Sequence, residues 1–487
     1  MSDFAAFGPV LPEVVLAILV LAIITADGFL PRERKSWLTV ITVVGLAVAG
    51  WACVMVWDSG ATTVFGSVYA VDQFSVVLKG ATVAIGILAA LLAPAYLTAR
   101  RLPLGEFNAI LIFSLLGMFV LASSADLITL FIGLELMAMP AYLLTGFHKS
   151  DRYSNEGGLK YFLLGSFASA ILLFGIAWLY GTTGGTSFAD ISDALADGRM
   201  NGGILLALAF LMVGATFKVA AVPFHYWTPD AYQGAPTPIT GFLSVGPKLG
   251  AFALVLRLFV DGLGPVRADW VGVLIVLAVL TMTVGNVVAL TQTNVKRMLA
   301  YSSIAHTGYI MAGLAAVAVS EDPAANSGIS AMLFYLVAYG IMNIAAFAVV
   351  GMLQRDTGRF GGLASFAGLA RREPWLAGAM TVLLLSLTGI PPTVGFFAKL
   401  YILLSVVDAG LVWLAAVIAL NAALAAFYYL RVVVYMYMRD PEDEPAGVDK
   451  SWPSMIGVAL SVTGVIALGV FPSQLLVWLQ AAAGSLF

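Results

Sequence analysis

Three lysines, a glutamate and a histidine sit where an apolar chain has least room for them. Lys218, Lys248 and Lys399 each lie deep in apolar stretches; Glu135 lies within LITLFIGLELMAMPAYLLTG (127–146) and His306 within SSIAHTGYI (302–310). An ionisable group at the centre of a bilayer costs about 2.5–3.5 kcal/mol on insertion scales, so such groups are rare and mark ion or proton pathways. A buried amine and a buried carboxylate are natural partners. Moving the carboxylate relative to the amine changes how tightly the amine holds its proton, which is a pump element. The plain alternative is a structural ion pair, or an ammonium bound by backbone carbonyls. For His306 the alternative to a relay is a hydrogen-bonded packing residue.

Lower in the ranking come Lys160 and Glu156. They are four residues apart on one helix face, just inside the end of an apolar run. An i,i+4 ion pair is the plain reading there. His225, in VGATFKVAAVPFHYW (213–227), falls beside a proline and reads as a cap or loop residue.

The elements that must hold these groups are membrane helices. The chain has 487 residues, of which 61% are hydrophobic and 10% charged. Soluble domains carry about 25% charged residues. Apolar runs of about 20 residues, each able to cross a bilayer core, recur along the whole sequence. Fourteen spans are expected, at 9–30, 37–57, 72–98, 105–123, 125–147, 155–181, 202–223, 236–260, 270–291, 297–318, 327–352, 374–406, 409–438 and 453–483. They are called spans 1 to 14 below. The last contains Pro472 and is expected to kink. The N-terminus lacks a basic n-region, so span 1 reads as an uncleaved helix.

Charge orients the spans. Alternate loops, starting at PRERKS (31–36), carry Arg32, Arg34, Lys35, Arg100, Arg101, Lys149, Arg152, Lys296, Arg297, Arg355, Arg359, Arg371, Arg372, Arg439 and Lys450. The opposite set carries only Arg199 and Arg267. That asymmetry is a positive-inside signal, which puts both termini outside.

Composition also excludes functions. A single cysteine, Cys53, and three histidines far apart in sequence leave no His/Cys pair at metal-ligand spacing. There is no glycine-rich nucleotide loop and no basic patch for nucleic acid. No redox centre or cofactor is expected in this chain.

Depth separates the remaining cations. Lys79, Arg257 and Arg431 lie within about two turns of a span end, where snorkelling accounts for them. Lys218 is about fifteen residues, or about 22 Å of helix, from the outer end of span 7. Lys248 is near mid-depth in span 8, and Lys399 lies beyond Pro391 and Pro392 in span 12.

Prolines interrupt spans 7 and 12, around Pro223 and at GIPP (389–392). Non-helical backbone at membrane depth is tolerated only where it is buried in protein or lines a watery cavity. If spans 4–8 form one unit and spans 9–13 another, each interruption falls on the fourth member. Five is odd, so the units run in opposite directions, as in inverted-repeat transporters. The expected fold is therefore an all-α polytopic membrane protein. Its expected divisions are an N-terminal three-helix segment (1–104), two five-helix repeats (105–260 and 261–440) and a C-terminal helix (441–487).

At these residues the chain resembles a known family. KVAAVPFHYWTPDAYQGAPTPITGFLSVGPK (218–248), NVVALTQTNVKRMLAYSSIAHTGYI (286–310) and GIPPTVGFFAKLY (389–401) are similar to the antiporter-like subunits of respiratory complex I, bacterial NADH–quinone oxidoreductase. EGGLKYFLLGSFASAILLFGIAWLYG (156–181) and NAALAAFYYLRVV (421–433) look like its subunit N group. The resemblance covers spans 4–13.

It implies that Glu135 pairs with Lys218 and that Lys248 leads inward toward a base at Lys399, with His306 a link between half-channels. Sister subunit M typically has glutamate at the span 12 site, and subunit L carries a long lateral C-terminal helix; Lys399 and the end at Phe487 argue against both. The implied function is proton translocation driven by electron transfer from NADH to quinone elsewhere in the assembly. NADH, FMN, iron–sulfur clusters and quinone are implied for the complex rather than the chain. Implied partners are the other membrane subunits, including antiporter-like subunit M and small membrane subunits, in a bacterial cell membrane. The rival reading is a subunit of a multisubunit cation/proton antiporter, which the same lysine–glutamate machinery would serve.

Overall fold

The computed structural model describes residues 8–57, 60–197, 200–322, 326–353, 362–441, 448 and 451–486. Arg199, Arg355, Arg359 and Lys450 of the charge argument lie outside the described residues, as does the side chain of Arg32. The rest is an all-α membrane fold. Among the described residues twelve helical segments are long and apolar enough to cross a bilayer, and Gly202–Lys218 and Pro374–Thr388 are shorter apolar helices.

Local chemistry starts the helices where the sequence offers caps. Asp126 accepts from Ile128 N at 2.7 Å and begins Leu127–Thr145. Asp72 and Ser75 form a reciprocal capping box at the start of Gln73–Leu92. Asn294 accepts from Arg297 N at 3.1 Å and begins Val295–Val319.

The core is central rather than peripheral. The apolar windows of spans 8, 10 and 11 are 94%, 94% and 89% buried, whereas those of spans 1, 13 and 14 are each 33% buried. Spans 9 and 10 pack backbone to backbone. A Cβ on Gly308 would lie 2.5 Å from Met282 N, and one on Gly285 would lie 2.6 Å from Ala305 N, so only glycine admits that backbone approach. Such small-residue contacts replace the hydrophobic drive that lipid removes.

Spans 7 and 12 are interrupted as expected. Gly202–Lys218 stops five residues before Pro223, and helix resumes at Trp227–Gly234. Pro374–Thr388 stops before Gly389, and helix resumes at Val394–Asp408. The two interruptions share a pattern. Ala220 has φ +62° and Gly389 φ +93°, and a cis peptide bond precedes Pro223 and Pro392, three residues further on in each case.

Two features differ from the sequence reading. Span 8 is not continuous: Thr237–Leu243 ends at Ser244 and helix restarts at Gly246–Leu256. Pro247 at the second helical position suits a helix start rather than an interior. Span 14, by contrast, breaks where the kink was expected, into Trp452–Val470 and Pro472–Gly484. A short antiparallel hairpin (Thr62–Val64 with Tyr69–Val71) and the helix Phe188–Leu195 also lie between spans.

The three peripheral cations are not simple snorkelling residues. Lys79 is buried and ion-paired with Glu13 at 2.7 Å, and Tyr69 donates to the same carboxylate oxygen at 2.6 Å. Arg257 is buried, 2.7 Å from Asp72 and 3.1 Å from Asp261. Arg431 donates to the carbonyls of Leu290 and Gln292, at 3.1 and 2.5 Å, and so caps the end of Arg267–Thr291. Each finds a polar partner on another span, a carboxylate for Lys79 and Arg257 and helix-end carbonyls for Arg431.

Candidate proton path

The interruption in span 7 ends a helix at Lys218 and leaves backbone groups without helical partners. These are satisfied individually. Trp227 Nε1 donates to the Phe217 carbonyl at 3.2 Å, Thr307 Oγ1 to the Val219 carbonyl at 2.8 Å, and Val222 N to Thr281 Oγ1 at 2.9 Å. Spans 9 and 10 and the second half of span 7 itself thus hold the interruption, which is why it survives at membrane depth.

Lys218 is buried, with its ammonium 4.0 Å from Glu135 Oε1. Its hydrogen bonds go instead to Tyr142 Oη at 3.1 Å and Ser169 Oγ at 3.0 Å. Tyr142 lies seven residues after Glu135 in Leu127–Thr145, hence on the same face. At 4 Å and an effective dielectric of about 20, two unit charges attract by about 4 kcal/mol, falling to about 2 kcal/mol at twice that distance. Parting this pair by one helix diameter would therefore shift the amine's proton equilibrium by more than tenfold.

Lys248 lies in the first turn after the Ser244–Val245 interruption and is 3% exposed. Its ammonium donates to the Ser303 carbonyl and, at 2.6 Å, to Ser303 Oγ. Thr307 donates to both the Val219 carbonyl and the Ser303 carbonyl, at 2.8 and 3.2 Å. One hydroxyl therefore joins the Lys218 break to the Lys248 acceptor.

His306 belongs to the same helix, Val295–Val319. Its Nδ1 is 2.7 Å from Tyr335 Oη and its Nε2 is 3.1 Å from Tyr429 Oη, and Tyr429 also meets Ser302 Oγ. Ser302, Ser303, His306 and Thr307 recur at helical spacing, so span 10 presents a polar stripe to the core. Lys399, also buried, donates to the carbonyls of Leu387 and Thr388 at 3.0 and 2.7 Å, and its ammonium is 5.4 Å from the Tyr309 ring centre.

Among the described residues no carboxylate lies at ion-pair distance from Lys248 or Lys399. Carbonyl or hydroxyl oxygens hold both, the plain reading that the sequence also allowed. This does not make them inert. A neutral amine donates to the same acceptors, so the proton can leave without breaking the site.

Lys160 and Glu156 pair at 2.7 Å as the i,i+4 spacing implied. The sequence reading missed Asp230, 2.8 Å from Lys160 and 2.9 Å from Arg297. Asp230 sits in Trp227–Gly234, the second half of span 7, so this cluster is tied to the same interrupted helix as Lys218. Tyr142, Ser169, Ser303, Thr307, Tyr335 and Tyr429 were also missed. The signal available was SSIAHT, with polar residues at i, i+3 and i+4 in an apolar span. His225 lies in the interruption itself. Among the described residues no group of three or more His, Cys, Asp or Glu is placed to hold a metal ion.

Comparison with known proteins places the chain in a family. Residues 124–425 match the family described as NADH:quinone oxidoreductase/Mrp antiporter, transmembrane. NADH-quinone oxidoreductase subunit N of Trichlorobacter lovleyi is 41% identical over 475 residues, covering 97% of this chain and 96% of the relative. The subunit N of Thioalkalivibrio sulfidiphilus is 39% identical over 480 residues, covering 96% and 97%. A chain of respiratory complex I from Thermus thermophilus superposes with a TM-score of 0.80 at 32% identity, covering 96% of this chain and 98% of that one. A chain of the Mrp complex from Dietzia sp. has a TM-score of 0.83 at 22% identity, covering 98% and 97%, which is a likeness of fold.

Proposed function

Since the chain belongs to the subunit N family of NADH–quinone oxidoreductases and is a proton-translocating membrane subunit of complex I, we propose that its protons travel along Lys218, Lys248 and Lys399. Glu135 controls the first lysine, and the polar stripe of span 10 links the three. The observation that carries this reading is the line of buried side chains joined by one helix. Thr307 donates both to the Val219 carbonyl, next to Lys218 in the chain, and to the Ser303 carbonyl that holds Lys248, and His306 and Tyr309 continue along the helix toward Lys399.

Each charge crossing works against about 2.3 kcal/mol per 100 mV. A relay must therefore alternate between holding and releasing protons rather than conduct freely. The 4.0 Å separation of Lys218 and Glu135 suits that task. The ammonium keeps its bonds to Tyr142 and Ser169 whether the carboxylate approaches or withdraws. Closing the pair favours the charged amine; opening it removes about 2 kcal/mol of attraction and sends the proton toward Lys248. Glu156, Lys160 and Asp230 form the cytoplasmic intake, and Lys399 delivers the proton outward. His306, between Tyr335 and Tyr429, passes it on by exchanging its two ring nitrogens.

The finer architecture belongs to the same proposal. Fourteen crossings are arranged as a three-helix segment (1–104), two inverted repeats (105–260 and 261–440) and a final helix (441–487), with both termini outside a bacterial cell membrane. The matching interruptions of spans 7 and 12 support the repeats. NADH, FMN, iron–sulfur clusters and quinone act in other subunits of the assembly. Antiporter-like subunit M and the small membrane subunits are its neighbours.

The test is Lys218→Ala in the assembled complex. NADH-driven proton uptake into vesicles should fall by about tenfold or more, the effect of losing about 1.4 kcal/mol from the rate-limiting step. Normal uptake with normal assembly would refute the role. The same lysine–glutamate machinery would also serve a second reading, a subunit of a cation/proton antiporter. Co-purification separates the two, since partners bearing flavin and iron–sulfur clusters exclude it.

A further inference from the structure

Span 14 lies outside both repeats, yet it packs against the interruption beside Lys399. A Cβ on Gly469 would lie 2.1 Å from the Pro392 carbonyl oxygen and 2.7 Å from Thr393 Cα and C. All three atoms are backbone, so no side chain can swing aside. To reach 3.4 Å, the start of ordinary contact, that gap must open by about 1.3 Å. Elsewhere on the helix the fit is looser. A Cβ on Gly464 would find its nearest atom, Ile341 Cγ2, at 3.6 Å, and one on Gly457 would meet the flexible Leu92 side chain at 2.8 Å and Leu91 Cβ at an ordinary 3.6 Å.

Pro392 and Thr393 lead directly into Val394–Asp408, which carries Lys399. The acceptors of Lys399, the Leu387 and Thr388 carbonyls, end the other half of span 12. The lysine therefore bridges the two halves, and their separation sets whether both bonds can form. Span 14 is itself anchored elsewhere. Just beyond Gly469 it kinks at Phe471–Pro472, and its outer half reaches spans 2 and 3: Ser485 Oγ accepts from Phe74 N at 3.0 Å, and the Trp57 and Trp478 rings are 6.0 Å apart.

We propose that Gly469 is a positioning residue for proton transfer at Lys399. Through it, span 14 braces the span 12 interruption against the N-terminal three-helix segment. This rests on the reading of Lys399 as a proton carrier.

The experiment compares Gly469→Ala, Gly464→Ala, Lys399→Ala and the double variant G469A/K399A in the assembled complex. Each is normalised to flavin content and measured as NADH-driven proton uptake across a pH series. G469A should lower uptake per complex by about tenfold or more, within the ~100-fold that a 1 Å misplacement can cost. It should also displace the pH profile, which a purely structural loss would only scale. G464A should match wild type, and the double variant should be no worse than K399A. Wild-type uptake in G469A, an additive double variant, or a complex that assembles with G464A but not with G469A would each overturn the positioning role. An unimpaired K399A would instead refute the reading on which it rests.

Discussion

Replacing Arg257 with methionine separates what the sequence suggests from what the fold does. A snorkelling arginine near a span end contributes little, about 0–1 kcal/mol, as exposed charges do. In the structure its guanidinium is buried. Nη2 donates to Asp72 Oδ1 at 2.9 Å, Asp72 Oδ2 at 2.7 Å and the Ala122 carbonyl at 2.9 Å. Nε donates to the same carbonyl at 3.1 Å and Nη1 to Asp261 at 3.1 Å, with the Phe74 ring 4.7 Å away. The one side chain thus joins the start of span 3, the end of span 4 and the end of span 8. Methionine fills similar volume but donates nothing. Removing one member of a buried pair costs about 3–5 kcal/mol because the other charge is left uncompensated. If that cost falls on the folded state, the dissociation rate of the subunit in mild detergent rises by about 100-fold or more. The assay is retention of this chain by the solubilised complex at a fixed elevated temperature. The triple variant R257M/D72N/D261N neutralises the stranded carboxylates and should recover most of the loss. A dissociation rate within about fivefold of wild type for R257M, equivalent to about 1 kcal/mol, would refute the reasoning. So would a triple variant no better than the single one.

The two interruptions should respond oppositely to a methyl group. Gly389→Ala places a Cβ on a residue at φ +93°, 3.0 Å from Lys399 Cδ, so it should cost about 1–2 kcal/mol and depress proton uptake, read in the same vesicle assay. Ala220→Gly, at φ +62°, removes a strained Cβ and should stay within about 1 kcal/mol of wild type with uptake retained, as thermal retention would show. Ala220→Val, with a β-branched side chain in the left-handed region, should fail both measurements.

Much of this arrangement was legible because it is local. Apolar runs give the spans, Pro223 and GIPP give the interruptions, and depth alone isolates Lys218, Lys248 and Lys399. Glu135 and Lys218 do approach, though through a 4.0 Å gap bordered by Tyr142 and Ser169 rather than a tight pair. The illegible parts are pairings across the chain. Arg257 and Asp72 are 185 residues apart, and Lys160 and Asp230 are 70 apart. No periodicity encodes such a meeting. Acceptors for Lys248 and Lys399 were invisible for another reason: they are largely backbone carbonyls, which every residue carries. Helix interruption frees those of Lys399, whereas the carbonyl that holds Lys248 is that of Ser303, inside the unbroken helix Val295–Val319 of another span. The break at Ser244–Val245 had a signal in Gly246–Pro247, but an unbroken apolar run conceals it.

The central claim is that protons pass along the buried lysines, and Lys248 lies in the middle of the line. Lys248→Met preserves length and packing while removing the proton carrier. The decisive measurement is the number of protons taken up per NADH oxidised by the reconstituted, fully assembled complex. The account predicts that this ratio falls in the variant, and that electron transfer slows with it under a membrane potential. An unchanged ratio in an intact complex would contradict the account.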